Sequence, residues 1–347
     1  ELLIQVLSFG PVVKVLGPES FVRQIRERVE KQGLMPVWKR YVEATGELSR
    51  IGYREEIEAA MRTRELSGIS LLGLQDFPGQ GTALVGMLNS HLKPKPFAFA
   101  DPEKFRSFFT SRLPLVLLPK YTYENTETLT ARIQIANFGR QELRGEISCT
   151  LESGAGQDGH CGPKKEKFLI QKILPQVTCP VGSLTDAGEL ELALDEIVSP
   201  ARLELSVSIG NVSVGNVSNH YPIWVYPPVE PALPEAVYET ASLDEAAREV
   251  LEAGGKVYLS PPSTKEALPS SIQAQFTTDF WSVGTFPGQE GGMGQLIDET
   301  HPIFRNFPTE FHTNWQWWPM ASQRAVILPR PYQAIVTQMD SYAFLRS

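Results

Sequence analysis

Residues 128–139 read TLTARIQIANFG. Ala131, Ile133 and Ile135 recur at every second position, with polar residues between them. A strand sends successive side chains to opposite faces, so this period places the apolar set on one face and the polar set on the other. Asn137 and the residues after it read as a turn. The same texture runs from Leu113 onward. ELRGEISCTLE, EKFLIQKI, GELELALDEI and ARLELSVSIGN are short alternating runs, separated by turn signals at about ten-residue spacing. The pattern predicts an antiparallel β-sandwich over 112–228, with 154–163 as a polar hairpin loop.

On either side of this region the texture is different. Residues 1–16 read as strands broken at Gly10-Pro11. A helix opens at Pro18, with Phe21, Val22, Ile25 and Val29 on one face, and closes at Gly33. Pro36 starts a short helix that ends near Gly46. A longer helix follows over Glu47–Arg64, with Leu48, Ile51, Ile57 and Met61 inward and Arg54, Glu55, Glu58 and Arg62 outward. GISLLGL (68–74) lacks alternation and reads as a buried parallel strand, with a helix over 82–90 after it. Helix, strand and helix in this order are the grammar of a parallel α/β unit. Pro94 and Pro96 mark a linker, and Asp101-Pro102 opens a short helix through Thr110.

C-terminal to the sandwich, YPPVEPALP (226–234) is a proline-rich connector. Ser242 with Glu245 forms a capping box, Gly254-Gly255 stops the helix, and Val257–Ser260 is a strand. An α/β domain is therefore expected over 235–347.

The chain has 347 residues, enough for two or three domains. Its 32 Lys and Arg against 40 Asp and Glu argue against a nucleic-acid groove, which needs clustered cations. No run of eighteen apolar residues exists, so no membrane-spanning helix is expected. The start, ELLIQVLSFG, lacks an initiator Met and a charged leader region, so it reads as part of something longer and not as a signal peptide. Cys149, Cys161 and Cys179 share no metal spacing and read as unlinked thiols. His301 and His312 lack the spacing of a helical metal pair, and no metal or cofactor is expected. There is no Gly-x-Ser-x-Gly elbow and no Walker loop, and Gly86 follows Gly79-x-Gly81 too late for a dinucleotide fingerprint. The last domain holds no cysteine, which excludes thiol-based amidotransferase chemistry there.

Two patches are candidates for binding. Gln75, Asp76, Phe77 and Gln80 follow the expected parallel strand, where α/β proteins place ligands. A carboxylate and amides can hydrogen-bond sugar hydroxyls, and Phe77 offers an apolar face. The competing reading is a rigid turn in which Asp76 caps the next helix. The second patch is FPTEFHTNWQWW (307–318), where Trp315, Trp317 and Trp318 interleave with Glu310, His312, Asn314 and Gln316. It reads as a carbohydrate platform or as the aromatic interior of a domain interface.

GISLLGLQDFPGQGTALVGML (68–88) resembles the end of the catalytic barrel in β-galactosidase-like proteins of glycoside hydrolase family 2. ATGELSRIGYREEIEAAMRT (44–63) resembles the helix leading into the last barrel strand. FWSVGTFPGQEGGMGQLIDETHPIFRNFPTEFHTNWQWW (280–318) is similar to their C-terminal α/β domain. The resemblance covers about 34–347. It implies a helix–strand–helix barrel remnant with a linker helix over 34–111, an immunoglobulin-like sandwich over 112–228, and an incomplete flavodoxin- or amidotransferase-like domain over 235–347. It further implies that Gln75, Asp76 and Phe77 line a sugar subsite, that the parent acts on β-glycosides, and that it is periplasmic or secreted in bacteria.

Retaining glycosidases need two carboxylates about 5–5.5 Å apart. In this family the acid/base and the nucleophile come from earlier barrel strands, the latter in a His-Glu-x-Gly-Gln-Trp type context. No such sequence is present, so a chain without its catalytic glutamates and inactive alone is expected. Asp76 with Glu310 is the one carboxylate combination left to test. The alternative is a non-catalytic carbohydrate-binding or scaffold module using the tryptophan patch. Residues 1–33 resemble the C-terminal extension of WYL-domain transcription regulators, through LLIQVLSFGPVVKVLGPESFVRQIRERVEKQ. A lone barrel strand would leave edges exposed, which predicts self-association.

Overall fold

The computed structural model describes residues 26–340 apart from 28, 77–85, 154–167, 212–214, 231, 274–291, 321–322 and 329–333. Leu129, Ala131, Ile133 and Ile135 are buried along strand β3 (Thr128–Asn137), at the spacing their alternation requires. Strand β3 lies between β1 (Arg112–Leu117) and β6 (Ser183–Ala193), antiparallel to both. A second, five-stranded sheet comprises β2 (Thr122–Glu124), β4 (Leu143–Ser153), β5 (Leu169–Cys179), β7 (Ala201–Asn211) and β8 (Gly215–Tyr226), in the order β2-β8-β7-β4-β5. Only the short β2–β8 pairing in it is parallel.

The inner faces of the two sheets share one core. Ile133 and Leu190 of the first sheet join Leu151, Leu205 and Ile223 of the second. Each such side chain contributes about 1.5–3 kcal/mol by leaving water. Cys149 and Cys179 are buried free thiols on this sheet, and burial raises the Cys149 thiol to about 11. Cys161 lies outside the described residues.

Helix α1 (Trp38–Met61) is one uninterrupted helix, where the sequence suggests a break at Gly46. Gly46 is a contact position and not a stop: a Cβ there would stand 2.2 Å from the Phe99 ring. Val37 supplies no side-chain cap, so tertiary packing holds the helix. Its first half packs Trp38, Tyr41 and Val42 against Met87, Phe97 and Phe99. Its second half packs Ile57 and Met61 against Phe108, Leu113 and Leu115, which belong to or adjoin the sandwich. The turn before α1 closes at Gly33, with Leu34 N–H donating to Val29 O. The strands expected in 1–16 and the start of the helix at Pro18 lie outside the described residues.

Two expectations between α1 and the sandwich need correction. Residues 68–74 form no strand, and Leu72 is 79% exposed. A buried parallel strand needs ladder partners, and among the described residues this segment has no parallel link beyond the isolated bridge Gln75–Leu88. Residues 86–90 are likewise not helical, because Leu88 is held in bridges to Gln75 and Pro94. Helix α2 (Pro102–Arg106) begins as expected, with Asp101 accepting the Glu103 N–H, but ends before Thr110.

Beyond the connector, β9 (Val237–Thr240) and β10 (Lys256–Leu259) pair in parallel around helix α3 (Glu245–Glu252), a βαβ unit. The cap is Asp244, not Ser242: its carboxylate accepts the Ala247 N–H at 2.8 Å and also meets the positive end of the helix. Gly255 N–H closes the helix on Val250 O. The other described strands pair in antiparallel twos, β11 (Ser271–Gln273) with β13 (Arg324–Val326) and β12 (Gly292–Ile297) with β14 (Val336–Asp340). The described chain thus combines an all-β body with smaller α/β parts.

Candidate functional site

Alternation along β7 buries Leu203, Leu205 and Val207 and leaves Arg202, Glu204 and Ser206 on the opposite face. Register sets Glu204 across from Pro222 and Ser206 across from His220 on β8. Helix α1 lies over this region and presents Arg50, Arg54 and Glu55 toward it. Tyr121 and the Asn314–Trp315 segment close the sides. Together they enclose a cavity of about 180 Å³.

Its floor is a polar network on α1. Glu58 is 1% exposed and receives Arg54 Nε and Arg62 Nη2, each at 2.9 Å. Tyr221 Oη donates to Glu58 at 2.8 Å and accepts from Val116 N–H and from Asn219 Nδ2. One donor and two acceptor positions are all a phenol has, so Tyr221 is fully used. Asn219 Nδ2 also reaches Glu58 and Pro114 O. The network ties α1 to β1 of one sheet and β8 of the other. Burial beside Glu58 pushes the Tyr221 hydroxyl well above the ordinary tyrosine range. The Arg54 guanidinium lies 4.3 Å over the Tyr221 ring.

The walls carry separately partnered charges. Arg50 pairs with Glu47 at 2.7 Å and Arg202 with Glu310 at 2.6 Å. Glu204 sits 3.2 Å from His220 Nδ1, whose hydrogen bond holds the carboxyl below its usual range. Glu55 makes no ion pair among the described residues. Its Oε1 accepts Tyr121 Oη at 3.0 Å and Trp315 Nε1 at 3.1 Å, and the two rings stack with centroids 5.6 Å apart.

Burial raises the Glu55 carboxyl above the usual carboxylate range, against the opposing pull of the Tyr121 hydrogen bond. The folded chain therefore holds this proton more tightly than the unfolded chain does. That contribution to stability is complete below the unfolded pKa and is lost as pH rises through the folded one. Glu55→Gln keeps the accepting oxygen and removes the charge. Its stability relative to the parent is expected to improve as pH rises from about 4 to about 7. Urea midpoints at several pH values measure this, and parallel curves for the two proteins would refute it.

The sequence candidates fall in different places. Gln75 is exposed, and its backbone bridges to Leu88. Asp76 is fully buried, accepting Lys95 Nζ at 3.1 Å and Gly86 N–H at 2.9 Å on one oxygen. A Cβ at Gly86 would meet the Gln75 carbonyl carbon at 2.4 Å, which accounts for the glycine. Phe77 and Gln80 lie outside the described residues. Trp317 donates to Thr309 Oγ1 and packs edge-on against Phe307, and Trp318 is 58% exposed. Of the described binding candidates among Gln75, Asp76 and the three tryptophans, Trp315 is the one that lines the cavity. Among the described residues no hydrogen bond or ring contact joins Asp76 to the tryptophans, and Asp76 and Glu310 each hold a cation of their own.

The sequence reading missed Tyr121, Arg202, Glu204 and Asn219, and assigned Glu58 to the exposed face. The signal that was present is the Arg54, Glu58, Arg62 spacing, which lets one carboxylate meet two guanidiniums along a helix. No group of metal-binding side chains occurs among the described residues, and no described helix is long and apolar enough to cross a membrane.

Two family models match, each described as a domain of unknown function: DUF8488 over 127–227 and DUF8487 over 238–347. The gap between them is the proline-rich connector. No curated protein matches the chain. Among solved structures, the chain is similar at 11% identity and TM-score 0.24 to the sporulation control protein Spo0M from Bacillus subtilis, over 35% of this chain and 51% of that one. It is similar at 11% identity and TM-score 0.19 to Cel61B, a glycoside hydrolase family 61 member from Hypocrea jecorina, over 33% and 55%. A calcium-binding mutant of Bacteroides uniformis beta-glucuronidase 2 aligns at 10% identity and TM-score 0.21, over 41% and 20%. The match thus spans about half the length of the first two structures and a fifth of the third. Likeness at this level carries no argument about what the chain does.

Proposed function

We propose that this chain is the non-catalytic C-terminal portion of a carbohydrate-active protein similar to glycoside hydrolase family 2, inactive on its own. In this reading α1 is the helix that leads into the last barrel strand of the parent, β1–β8 are an immunoglobulin-like sandwich, and β9 onward is an incomplete flavodoxin- or amidotransferase-like domain. The observation that carries the proposal is the joining of α1 to the sandwich through Glu58, Asn219 and Tyr221. Most of this helix falls in the stretch 44–63 that resembles the helix leading into the family's last barrel strand, and its network ties it to both sheets.

The inactivity follows from how the carboxylates are used. Asp76 and Glu310 are each tied to a cation, Glu204 to His220, and Glu55 to two ring donors. Glu55 and Glu204 line the same cavity, each already bonded within the chain. The scaffold form of the alternative is favoured by Trp317, whose indole N–H bonds to Thr309 Oγ1 within the chain. The test is an assay of the whole chain on chromogenic β-galactosides, β-glucosides and β-glucuronides. No turnover above buffer is expected. Turnover that disappears on replacing Glu55 or Glu204 would overturn the proposal.

A further inference from the structure

We propose that the cavity between α1, β7–β8 and Trp315 is a binding site for one neutral pyranose ring. The proposal rests on the carbohydrate reading above and deepens it by naming a site and a ligand charge. Its first support is the charge pattern. Arg50 and Lys104 share Glu47, Arg54 and Arg62 share Glu58, and Arg202 pairs with Glu310, while Glu55 and Glu204 add two further carboxylates to the lining, so these five cations are matched by five acidic side chains. An anionic ligand would meet the Glu55 and Glu204 carboxylates in the lining and would compete with the existing ion pairs for the guanidiniums. Fixed, paired charges still present directional donors and acceptors, which a neutral polyol can use.

The second support is the set of hydrogen-bonding positions left over. Glu55 uses only Oε1, for Tyr121 and Trp315, and its Oε2 bonds to no described residue. Arg202 reaches Glu310 through Nε, and its two terminal amino groups bond to no described residue. An acceptor and a fork of donors lining the same cavity suit neighbouring hydroxyls, which donate to the one and accept from the other. Third, the stacked Trp315 and Tyr121 rings give one wall an aromatic surface against which the C–H face of a sugar ring packs. A cavity of about 180 Å³ is on the scale of one sugar ring and below that of sites for drug-sized ligands.

The experiment titrates the whole chain with D-galactose, D-glucose and D-glucuronate, read by calorimetry and tryptophan fluorescence. Glu55→Gln is the variant, because its oxygen keeps both ring donors while its amide replaces the acceptor at Oε2. Urea unfolding of the same preparation shows that it folds. Saturable millimolar binding of a neutral hexose is expected, weakened roughly tenfold or more in Glu55→Gln, with glucuronate weaker than the neutral sugars. Absence of neutral-hexose binding, an unchanged affinity in folded Glu55→Gln, or tighter binding of glucuronate each overturns the proposal. The glycosidase assay is read independently. Hexose binding untouched by Glu55→Gln would remove this site and leave the carbohydrate reading standing.

Discussion

Replacing Glu58 with alanine is expected to remove about 3–5 kcal/mol of folding stability, the range for breaking a buried ion pair from one side. Glu58 is almost fully buried and neutralises two guanidiniums, whose side chains are only 16% and 18% exposed. Without it, Arg54 and Arg62 remain in a poorly hydrated site, and Tyr221 Oη and Asn219 Nδ2 each lose an acceptor. Glu58→Gln keeps the shape and part of the hydrogen bonding, so its loss is expected to be smaller but in the same direction. Urea unfolding followed by circular dichroism measures both. A loss below about 1 kcal/mol for Glu58→Ala would mean that water enters the site and screens the arginines.

The second large effect concerns Asp76. Its carboxylate and the Lys95 ammonium are 3.1 Å apart, with side-chain exposures of 0% and 2%. Asp76→Ala leaves the ammonium buried beside the Gly86 N–H, which also loses its acceptor. About 3 kcal/mol of destabilisation is expected. Asp76→Leu combined with Lys95→Met removes both charges together and is expected to recover most of that loss, since well-packed apolar side chains often match or exceed a buried pair. A double variant as unstable as Asp76→Ala would show that the Asp76 to Gly86 hydrogen bond, and not charge compensation, sets the cost. The outcome also bears on the bridge between Gln75 and Leu88, because Asp76 holds Gly86 two positions before Leu88.

The sandwich was legible because its signal is local. Leu129 to Ile135 declare their face within seven residues, and the runs at 142–152 and 201–211 do the same. The βαβ unit at 237–259 was legible for the same reason, although the cap moved from Ser242 to Asp244, two good capping residues so close that local rules barely separate them. The segment 68–74 was misread because an apolar run without alternation is a strand only when partners flank it, and none does among the described residues. Gly46 was misread because glycine stops a helix or admits a neighbour, and the Phe99 ring that decides between these is 53 positions away in sequence.

The cavity followed a different logic. On α1 alone, Arg54, Glu55, Glu58 and Arg62 look like a solvated face with favourable spacing. What buries Glu58 is Tyr221, separated from it by 163 residues, and what engages Glu55 is Trp315, separated by 260. The amino-acid order by itself determined the alternating strands of the two sheets, the βαβ unit at 237–259 and the apolar faces that had to be covered, since each depends on residues within a turn or two. Only the tertiary structure decided which polar residues were drawn inside with those faces. Burial of a charge is settled by the partners that arrive to compensate it, and those come from distant parts of the chain.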